Sequence, residues 1–323
     1  MIKYLLTVSI AFIFSLNLSA QKQKVIFDCD LGGDIDDAFA VALLLNSQDE
    51  FEILGLCMDH GNTHGRGQVA LKMLYETGLD DIPVFIGRHT PTIVGEQTEL
   101  EGKSSQMMWS EDFDKLKPQK QTAADFIVET LNKYPGEVIL FTVGPVGNIA
   151  DVLVKDPQVL KKARKVVSMF GSIDVGYNGG APAPEWNVRA NIAAGKKLML
   201  SGANIVLAPL DCTDHVIFND KYLTAIFNRQ TPLTNSLGAL YSLWFQHAGY
   251  AIHPKMFDGV AVGMVLWPEL FETKEAFVYV DNKGFTKIDK NKTPNCTIGM
   301  KINEEEFLKR MYRKLVEQDF KKN

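Results

Sequence analysis

Residues 25–37 read VIFDCDLGGDIDD, and this stretch decides the fold. The apolar run at 25–27 is typical of a strand buried in a parallel sheet. The run AFAVALLL at 38–45 is typical of a buried helix. A strand followed by a helix places the polar residues between them at the C-terminal edge of the sheet, where open α/β sheets bind ligands. Those residues include a Gly-Gly pair, which permits a tight turn, and five aspartates: Asp28, Asp30, Asp34, Asp36 and Asp37.

Carboxylates this close together repel one another unless a cation neutralises them. Because the ligands are all oxygens, they favour Ca²⁺ or Mg²⁺ over zinc. The alternative is a solvated acidic turn in which Asp36 caps the following helix. Five acids far exceed what capping needs, so the sequence predicts a divalent-cation site.

Strand-like and helix-like patterns alternate along the rest of the chain. This alternation predicts an α/β fold with an open, mostly parallel, Rossmann-like sheet and helices on both faces. We expect one domain over residues 21–323, with its active site at the C-terminal strand ends and irregular loops at 88–119 and 171–184. The predicted strands are 25–29, 51–58, 83–86, 138–142, 166–170 and 205–209, and helical patterns lie at 67–77, 122–133, 148–153 and 190–200.

Composition limits the class of partner. The chain has 323 residues, 46% of them apolar, with a net charge of −5. It therefore lacks the basic footprint of a nucleic-acid-binding protein. The four cysteines are far apart and form no CxxC pair, so their spacing assigns no disulfide, and we expect small buried side chains.

The N-terminus has the pattern of a signal peptide. Lys3 precedes an apolar run at residues 5–16, and a cleavage site of small residues follows and ends at Ala20. We predict a signal peptide at 1–20, export to a periplasm or secretion, and no membrane association after cleavage. The alternative is a signal anchor that stays in the membrane.

Further polar motifs follow the later strands. They are DHGN at 59–62, TVGPVGN at 142–148, EWN at 185–187 and FDG at 257–259. Each alone is also explained as a turn or a helix cap. Together they place acidic and amide side chains and backbone carbonyls at one edge of the sheet. That combination suits a cation beside a polyhydroxylated ligand.

In this order, the motifs resemble the inosine–uridine-preferring nucleoside hydrolase family over about residues 24–315. The resemblance implies a Ca²⁺-dependent hydrolase of N-glycosidic bonds in ribonucleosides or related N-ribosides, releasing ribose and a base. It implies a small-molecule nucleoside as partner and a homo-oligomer, either a dimer or a tetramer.

The resemblance also implies roles for individual residues. Asp30 would be the base that activates water. The Ca²⁺ ligands would be Asp30, Asp37, Asp258 and the backbone carbonyl of Val143. The ribose-binding residues would be Asp36, Asn62, Glu185 and Asn187.

Two of the chain's departures from the family pattern affect the assignment of roles. The family motif DxDPGxDD has two fewer residues than DCDLGGDIDD, which leaves Asp34 without a family role and able to replace Asp36 in part. Phe257 stands where the family usually has a histidine that assists departure of the base, and Phe257 cannot donate a proton. His60 is our candidate for a replacement donor at the leaving-group site, beside Phe257.

These departures leave other functions open. One is a non-catalytic ribose- or nucleoside-binding protein on the same fold, and another is a hydrolase of a different glycosidic conjugate. A phosphatase of the haloacid dehalogenase class also opens with a strand and DxD, but the later GDxxxD acid pair of that class is missing from the sequence.

Overall fold

The computed structural model describes residues 21–90, 93–94, 97–98, 105–248 and 253–316. The predicted signal peptide at 1–20 lies outside these residues. Within the described ranges, no helix combines the length and the apolar character needed to cross a membrane.

The described strands are β1 Gln23–Cys29, β2 Phe51–Met58, β3 Val84–Ile86, β4 Ile93–Val94, β5 Gln97–Thr98, β6 Val138–Thr142, β7 Lys165–Met169, β8 Ile205–Ala208, β9 Phe271–Ala276, β10 Val278–Val280, β11 Thr286–Ile288 and β12 Cys296–Ile302. Eight of these described strands form one sheet with the order β3-β2-β1-β6-β7-β8-β12-β9. All neighbouring strands in it are parallel except β12 and β9, which are antiparallel. The predicted mostly parallel α/β sheet is confirmed.

Helices cover both faces of this sheet. The described helices are α1 Asp36–Leu45, α2 Thr63–Thr77, α3 Ala123–Lys133, α4 Gly147–Lys155, α5 Trp186–Ala190, α6 Ile192–Met199, α7 Leu210–Thr213, α8 Asp220–Phe227, α9 Pro232–Ala248, α10 Phe257–Leu266 and α11 Glu304–Val316. Helices α1, α2 and α10 pack in one apolar core, and α3, α4 and α6 pack in the other. Because successive side chains of a strand point to opposite faces, Val25 and Phe27 enter the first core and Ile26 the second.

Strand β1 lies inside the sheet, between β2 and β6, and this position sets the place of the site. Asp28, near its end, is in register with Cys57 of β2 and Thr142 of β6. The loops that follow these three strands therefore leave the sheet at the same edge.

The antiparallel part of the fold was not predicted from the sequence. Strand β9 reads FETKEA and is exposed at four consecutive positions, so it lacks the apolar pattern of a buried strand. The pairing of β12 with β9 shifts in register just after Gly299. The stretch 88–119, predicted as a loop, contains β4, β5 and a 3₁₀ helix at Ser105–Ser110.

Candidate active site

The C-terminal strand ends enclose a cavity of about 470 Å³. Two groups of its lining residues differ in chemistry. We call Asp30, Asp36, Asp37 and Asp258 the acidic floor, and Tyr177, Trp186, Arg189 and Phe257 the outer wall. Residues 171–184, which follow β7, form the mouth loop.

Three carboxylates of the acidic floor converge. Asp36 and Asp37 lie in the first turn of α1, and Asp258 lies in the first turn of α10. One oxygen from each lies within 4.8 Å of the other two. The backbone N–H of Asp258 also donates to Oδ2 of Asp36 at 3.2 Å. Helix N-termini favour negative charge, so the two helices help to hold these acids.

The cluster is buried, which excludes the solvated acidic turn considered above. Asp36 is 5% exposed, and Asp37 and Asp258 are each 3% exposed. The residue that precedes α1 as its N-cap is Ile35, so Asp36 is not the cap. Burial is also the main cause that raises the pKa of each of these three carboxyls well above its ordinary value, and repulsion by neighbouring aspartates adds to the rise.

These residues fit a divalent cation. Among the residues that the structure describes, Oδ1 of the buried Asp37 finds no hydrogen-bond partner. A buried carboxylate oxygen left unpaired is costly, and a cation among three carboxylates removes that cost. Val143 also lines the cavity, as expected for a carbonyl ligand, although its carbonyl already accepts a 2.7 Å hydrogen bond from Nδ2 of Asn187.

Asp30 lies beside the cluster and keeps a small exposed surface, 13% of its side chain. The fully buried Arg66 holds it from behind. The Arg66 guanidinium donates to the carbonyls of Asp30 and Leu31 and lies 3.9 Å from Oδ2 of Asp30, and its Nε donates to the carbonyl of His60. Burial raises the pKa of Asp30, and the Arg66 charge opposes that rise.

The turn with the two extra residues is also held in place. Nε2 of Gln106 donates to the carbonyls of Gly33 and Asp34, both at 2.9 Å. Gly32 has φ 99°, a conformation that glycine adopts at little cost. Asp34 is exposed and lines the cavity. The carboxylate cluster contains Asp36 and does not contain Asp34.

Glu185 and Asn187 line the cavity at the start of α5. The Glu185 carboxylate accepts hydrogen bonds from the N–H groups of Asn187 at 2.8 Å and Gly171 at 3.0 Å. Burial raises the pKa of Glu185 to about 7, against the effect of these bonds. Nδ2 of Asn187 donates to the carbonyls of Val143 and Met169, so this pair ties together the ends of β6 and β7.

Asn62 and His60 are not among the described residues that line the cavity. Asn62 caps α2, where its Oδ1 accepts from the N–H of Gly65 at 3.0 Å. His60 is 7% exposed, in a left-handed backbone conformation with φ 61°. Both residues support the site from behind the cavity wall, which leaves His60 poorly placed as a proton donor.

The outer wall combines aromatic rings with a cation. The guanidinium carbon of Arg189 lies 5.5 Å from the centroid of the Trp186 ring. The backbone N–H of Trp186 donates to the Tyr177 hydroxyl at 2.8 Å. Phe257 faces the same cavity, with Nζ of Lys255 at 5.7 Å from its ring centroid. Such a surface suits a flat aromatic group rather than a sugar.

Sequence reasoning missed Arg66, Gln106 and Tyr177. Arg66 is on α2, where a charged residue ordinarily faces solvent, so nothing in the local pattern marks it as buried. Gln106 and Tyr177 lie in stretches predicted as loops, and only tertiary contacts reveal what they hold. The Gly-rich composition of the mouth loop was the one available signal for Tyr177.

Comparison with known proteins decides the family. The family model described as "Inosine-uridine preferring nucleoside hydrolase" matches residues 25–309. The chain belongs to this family. The match confirms the resemblance and the prediction of an N-glycosyl hydrolase.

Individual relatives agree with this assignment. An uncharacterized protein of Schizosaccharomyces pombe is 30% identical over 80% of this chain and 85% of its own length. Uridine nucleosidase 1 of Arabidopsis thaliana is 28% identical over 81% and 79% of the two chains. The pyrimidine-specific ribonucleoside hydrolase RihA of Citrobacter koseri is 27% identical over 88% and 95%.

Solved structures show the same fold. A plant nucleoside hydrolase, PpNRh1, superposes with a TM-score of 0.79 at 24% identity and covers 92% of this chain and 99% of its own. A purine-preferring ribonucleoside hydrolase from Gardnerella vaginalis gives a TM-score of 0.77 at 21% identity, with 91% and 98% coverage. The fold of this nucleoside hydrolase family member therefore extends over nearly the whole chain.

Proposed function

We propose that this protein is a Ca²⁺-dependent hydrolase of N-glycosidic bonds in ribonucleosides or related N-ribosides, releasing ribose and a base. The observation that carries the proposal is the buried cluster of three carboxylates, with an unpaired oxygen on Asp37, beside Asp30 in one cavity. The relatives named as a uridine nucleosidase and a pyrimidine-specific ribonucleoside hydrolase support a nucleoside as the substrate class.

The acidic floor suits the electrostatics of the reaction. Cleavage of a glycosidic bond passes through an oxocarbenium-like transition state, in which positive charge grows on the sugar ring. Carboxylates in a buried site stabilise such charge strongly, because little water screens them. Asp37 and Asp258 would hold Ca²⁺, together with the Val143 carbonyl and Asp30, with Asp36 in the same carboxylate cluster. When bound, the ion favours deprotonation of water and orients vicinal sugar hydroxyls.

Asp30 is the proposed general base. Its carboxylate reaches the cavity, and Arg66 fixes its backbone so that the side chain keeps one direction. A base works best when its pKa approaches the operating pH, and burial shifts Asp30 in that direction.

Asp36, Glu185 and Asn187 are the proposed ribose-binding residues at the cavity surface. Glu185 and Asn187 are each held by at least two hydrogen bonds to the protein, so they are positioned before substrate arrives. Asn62, predicted for the same role, supports the site through the start of α2. Phe257 and the rest of the outer wall would face the base.

We further propose that residues 1–20 direct export to a periplasm or secretion, and that residues 21–323 work as one domain in a homo-oligomer. N-terminal sequencing of the protein from cell fractions tests the first point, with Gln21 expected as the first residue. Light scattering of the purified chain tests for a dimer or tetramer, and a monomer would contradict that expectation.

The activity is tested by measuring ribose released by residues 21–323 from purine and pyrimidine nucleosides and from 4-nitrophenyl riboside, with Ca²⁺ present. Release from a natural nucleoside supports the proposal. Release from the nitrophenyl riboside alone indicates a riboside with another leaving group. Nucleoside binding by calorimetry without any release would favour the non-catalytic binding protein, for which Phe257 is the motivating residue.

A further inference from the structure

The leaving-group side of the proposed reaction needs a proton, and the described cavity lining offers few sources. Phe257 has none to give, and arginine side chains do not serve as proton donors of this kind in proteins. Glu185 uses both carboxylate oxygens as acceptors of backbone N–H bonds. The remaining carboxylates belong to the acidic floor or, for Asp34, to the turn before it. Within the outer wall, the Tyr177 hydroxyl is the one O–H donor among the described lining residues.

Tyr177 is held in a defined position by the mouth loop. Asp211 accepts hydrogen bonds from the N–H groups of Ile173 and Asp174 at 2.8 and 2.7 Å. Asp214 accepts from the N–H of Gly179 at 3.0 Å. These two buried carboxylates on and next to α7 anchor the loop on both sides of Tyr177.

Two further contacts stabilise the base of the loop. Ser172 and Thr286 exchange hydrogen bonds, from the Ser172 N–H to Oγ1 of Thr286 and from that hydroxyl to the Ser172 carbonyl. Lys255 donates to Oδ1 of Asp214 and to Oδ1 of Asn178, the residue after Tyr177. These hydrogen bonds fix the backbone of the mouth loop and therefore the position of the Tyr177 side chain.

The hydrogen bonding of Tyr177 leaves its own proton available. Its oxygen accepts the Trp186 N–H at 2.8 Å, and accepting a hydrogen bond strengthens a hydroxyl as a donor. The side chain is 38% exposed and lines the cavity beside Trp186 and Arg189. Partial burial and the nearby Glu185 charge raise the pKa of Tyr177, and the Trp186 N–H and the Arg189 charge oppose that rise by stabilising the ionised form.

We propose that Tyr177 is a catalytic residue of this enzyme, whose hydroxyl donates a proton to the departing base. The proposal rests on the hydrolase function above. Tyr177 replaces His60 as the candidate for that role. Tyr177 is one of the described residues that line the cavity, and His60 is not.

The atoms and charges of the step balance. The bond between C1′ and the base nitrogen breaks, and its electron pair stays on that nitrogen, which takes the Tyr177 proton. A water oxygen bonds to C1′, and the water proton passes to Asp30. The tyrosinate then recovers a proton from solvent as Asp30 releases one, so the net reaction is riboside plus water to ribose plus neutral base.

The test compares Tyr177→Phe with wild type on uridine and on 4-nitrophenyl riboside. Phenylalanine removes only the hydroxyl. On uridine we expect kcat to fall about 10²–10⁴-fold, the usual contribution of a general acid. On the nitrophenyl riboside we expect no change, because nitrophenolate leaves as a stable anion. The matched control is Tyr279→Phe, a tyrosine of nearly equal exposure (37%) on β10, which should leave both rates unchanged.

A second measurement keeps the test independent of any stability loss in the variant. Across aryl ribosides of increasing leaving-group pKa, kcat should fall more steeply in Tyr177→Phe than in wild type. Equal losses on every substrate, or a change in KM alone, would assign Tyr177 to substrate binding and overturn the proposal, as would an unchanged rate on uridine. Absence of ribose release by wild type from any riboside would instead overturn the hydrolase function itself.

Discussion

The acidic floor and the outer wall face the same cavity but are built differently. The floor consists of carboxylates on strand and helix ends, and Asp37 is only 3% exposed. The wall includes Tyr177, 38% exposed and carried by a loop. Rigid elements thus hold the proposed sugar side, and an anchored loop holds the proposed leaving-group side. The comparison predicts that floor variants lose activity on all ribosides and that wall variants discriminate between leaving groups.

Among single substitutions, Asp30→Asn is expected to have the largest effect across both substrates. Loss of the general base should lower kcat about 10²–10⁴-fold on uridine and on 4-nitrophenyl riboside alike, because water must be activated in both reactions. Steady-state ribose release measures it. Asp49→Asn, at an exposed position, makes the same change in net charge and should keep full activity. An Asp30→Asn loss confined to uridine would erase the difference between floor and wall.

Removal of the cation should affect activity and stability together. Chelation of Ca²⁺ should abolish ribose release and lower the thermal midpoint, since a cation at 100 times its Kd stabilises the fold by about 2.7 kcal/mol. Differential scanning fluorimetry with and without chelator measures the shift. Asp37→Asn should melt at the same temperature in both conditions. Asp34→Asn, outside the cluster, should keep the wild-type response, and loss of that response would place Asp34 among the ligands.

Replacement of an aromatic ring in the wall should have a moderate effect. Phe257→Leu removes ring contacts with the base, which are worth about 0.5–1.5 kcal/mol, or about 2- to 10-fold. We expect KM for uridine to rise by this factor while kcat stays unchanged. Competition by free ribose should be unaffected. Weaker ribose inhibition in Phe257→Leu would show that the wall also contacts the sugar.

The smallest effect concerns the pH dependence of stability at Glu185. Its pKa is raised to about 7 in the folded protein, so folding favours the protonated form. The stability that this group contributes is fully present below its unfolded pKa and is lost as pH rises through about 7. Glu185→Gln lacks this dependence, so its thermal midpoint relative to wild type should increase between pH 4.5 and 7. A constant difference across that range would show that the Glu185 pKa is ordinary.

The floor could be predicted from the sequence because its carboxylates are close along the chain. Asp30, Asp36 and Asp37 follow one apolar run, and the strand-to-helix pattern alone places them at the sheet edge. Asp258 is distant in sequence, and family resemblance was needed to bring it to the same place. The central strands were predictable for a similar reason, since β6 is buried along its whole length and reads as an apolar run.

The wall and its supports could not be predicted in this way. Tyr177 is anchored by Asp211 and Asp214, more than thirty residues away, and no local pattern links them. Arg66 and Gln106 donate to backbone carbonyls of the aspartate turn, and local composition does not specify these tertiary contacts. Residues that act through tertiary hydrogen bonds leave no periodic signal in the chain.

The division between floor and wall is tested most directly by a crystal structure of Asp30→Asn with Ca²⁺ and uridine. We predict an intact nucleoside, a cation peak among Asp36, Asp37 and Asp258, the sugar hydroxyls over the acidic floor, and the base against Trp186 and Phe257 with an acceptor atom in reach of the Tyr177 hydroxyl. A cation peak elsewhere, or a nucleoside bound with its base over the carboxylates and its sugar against the wall, would contradict the account.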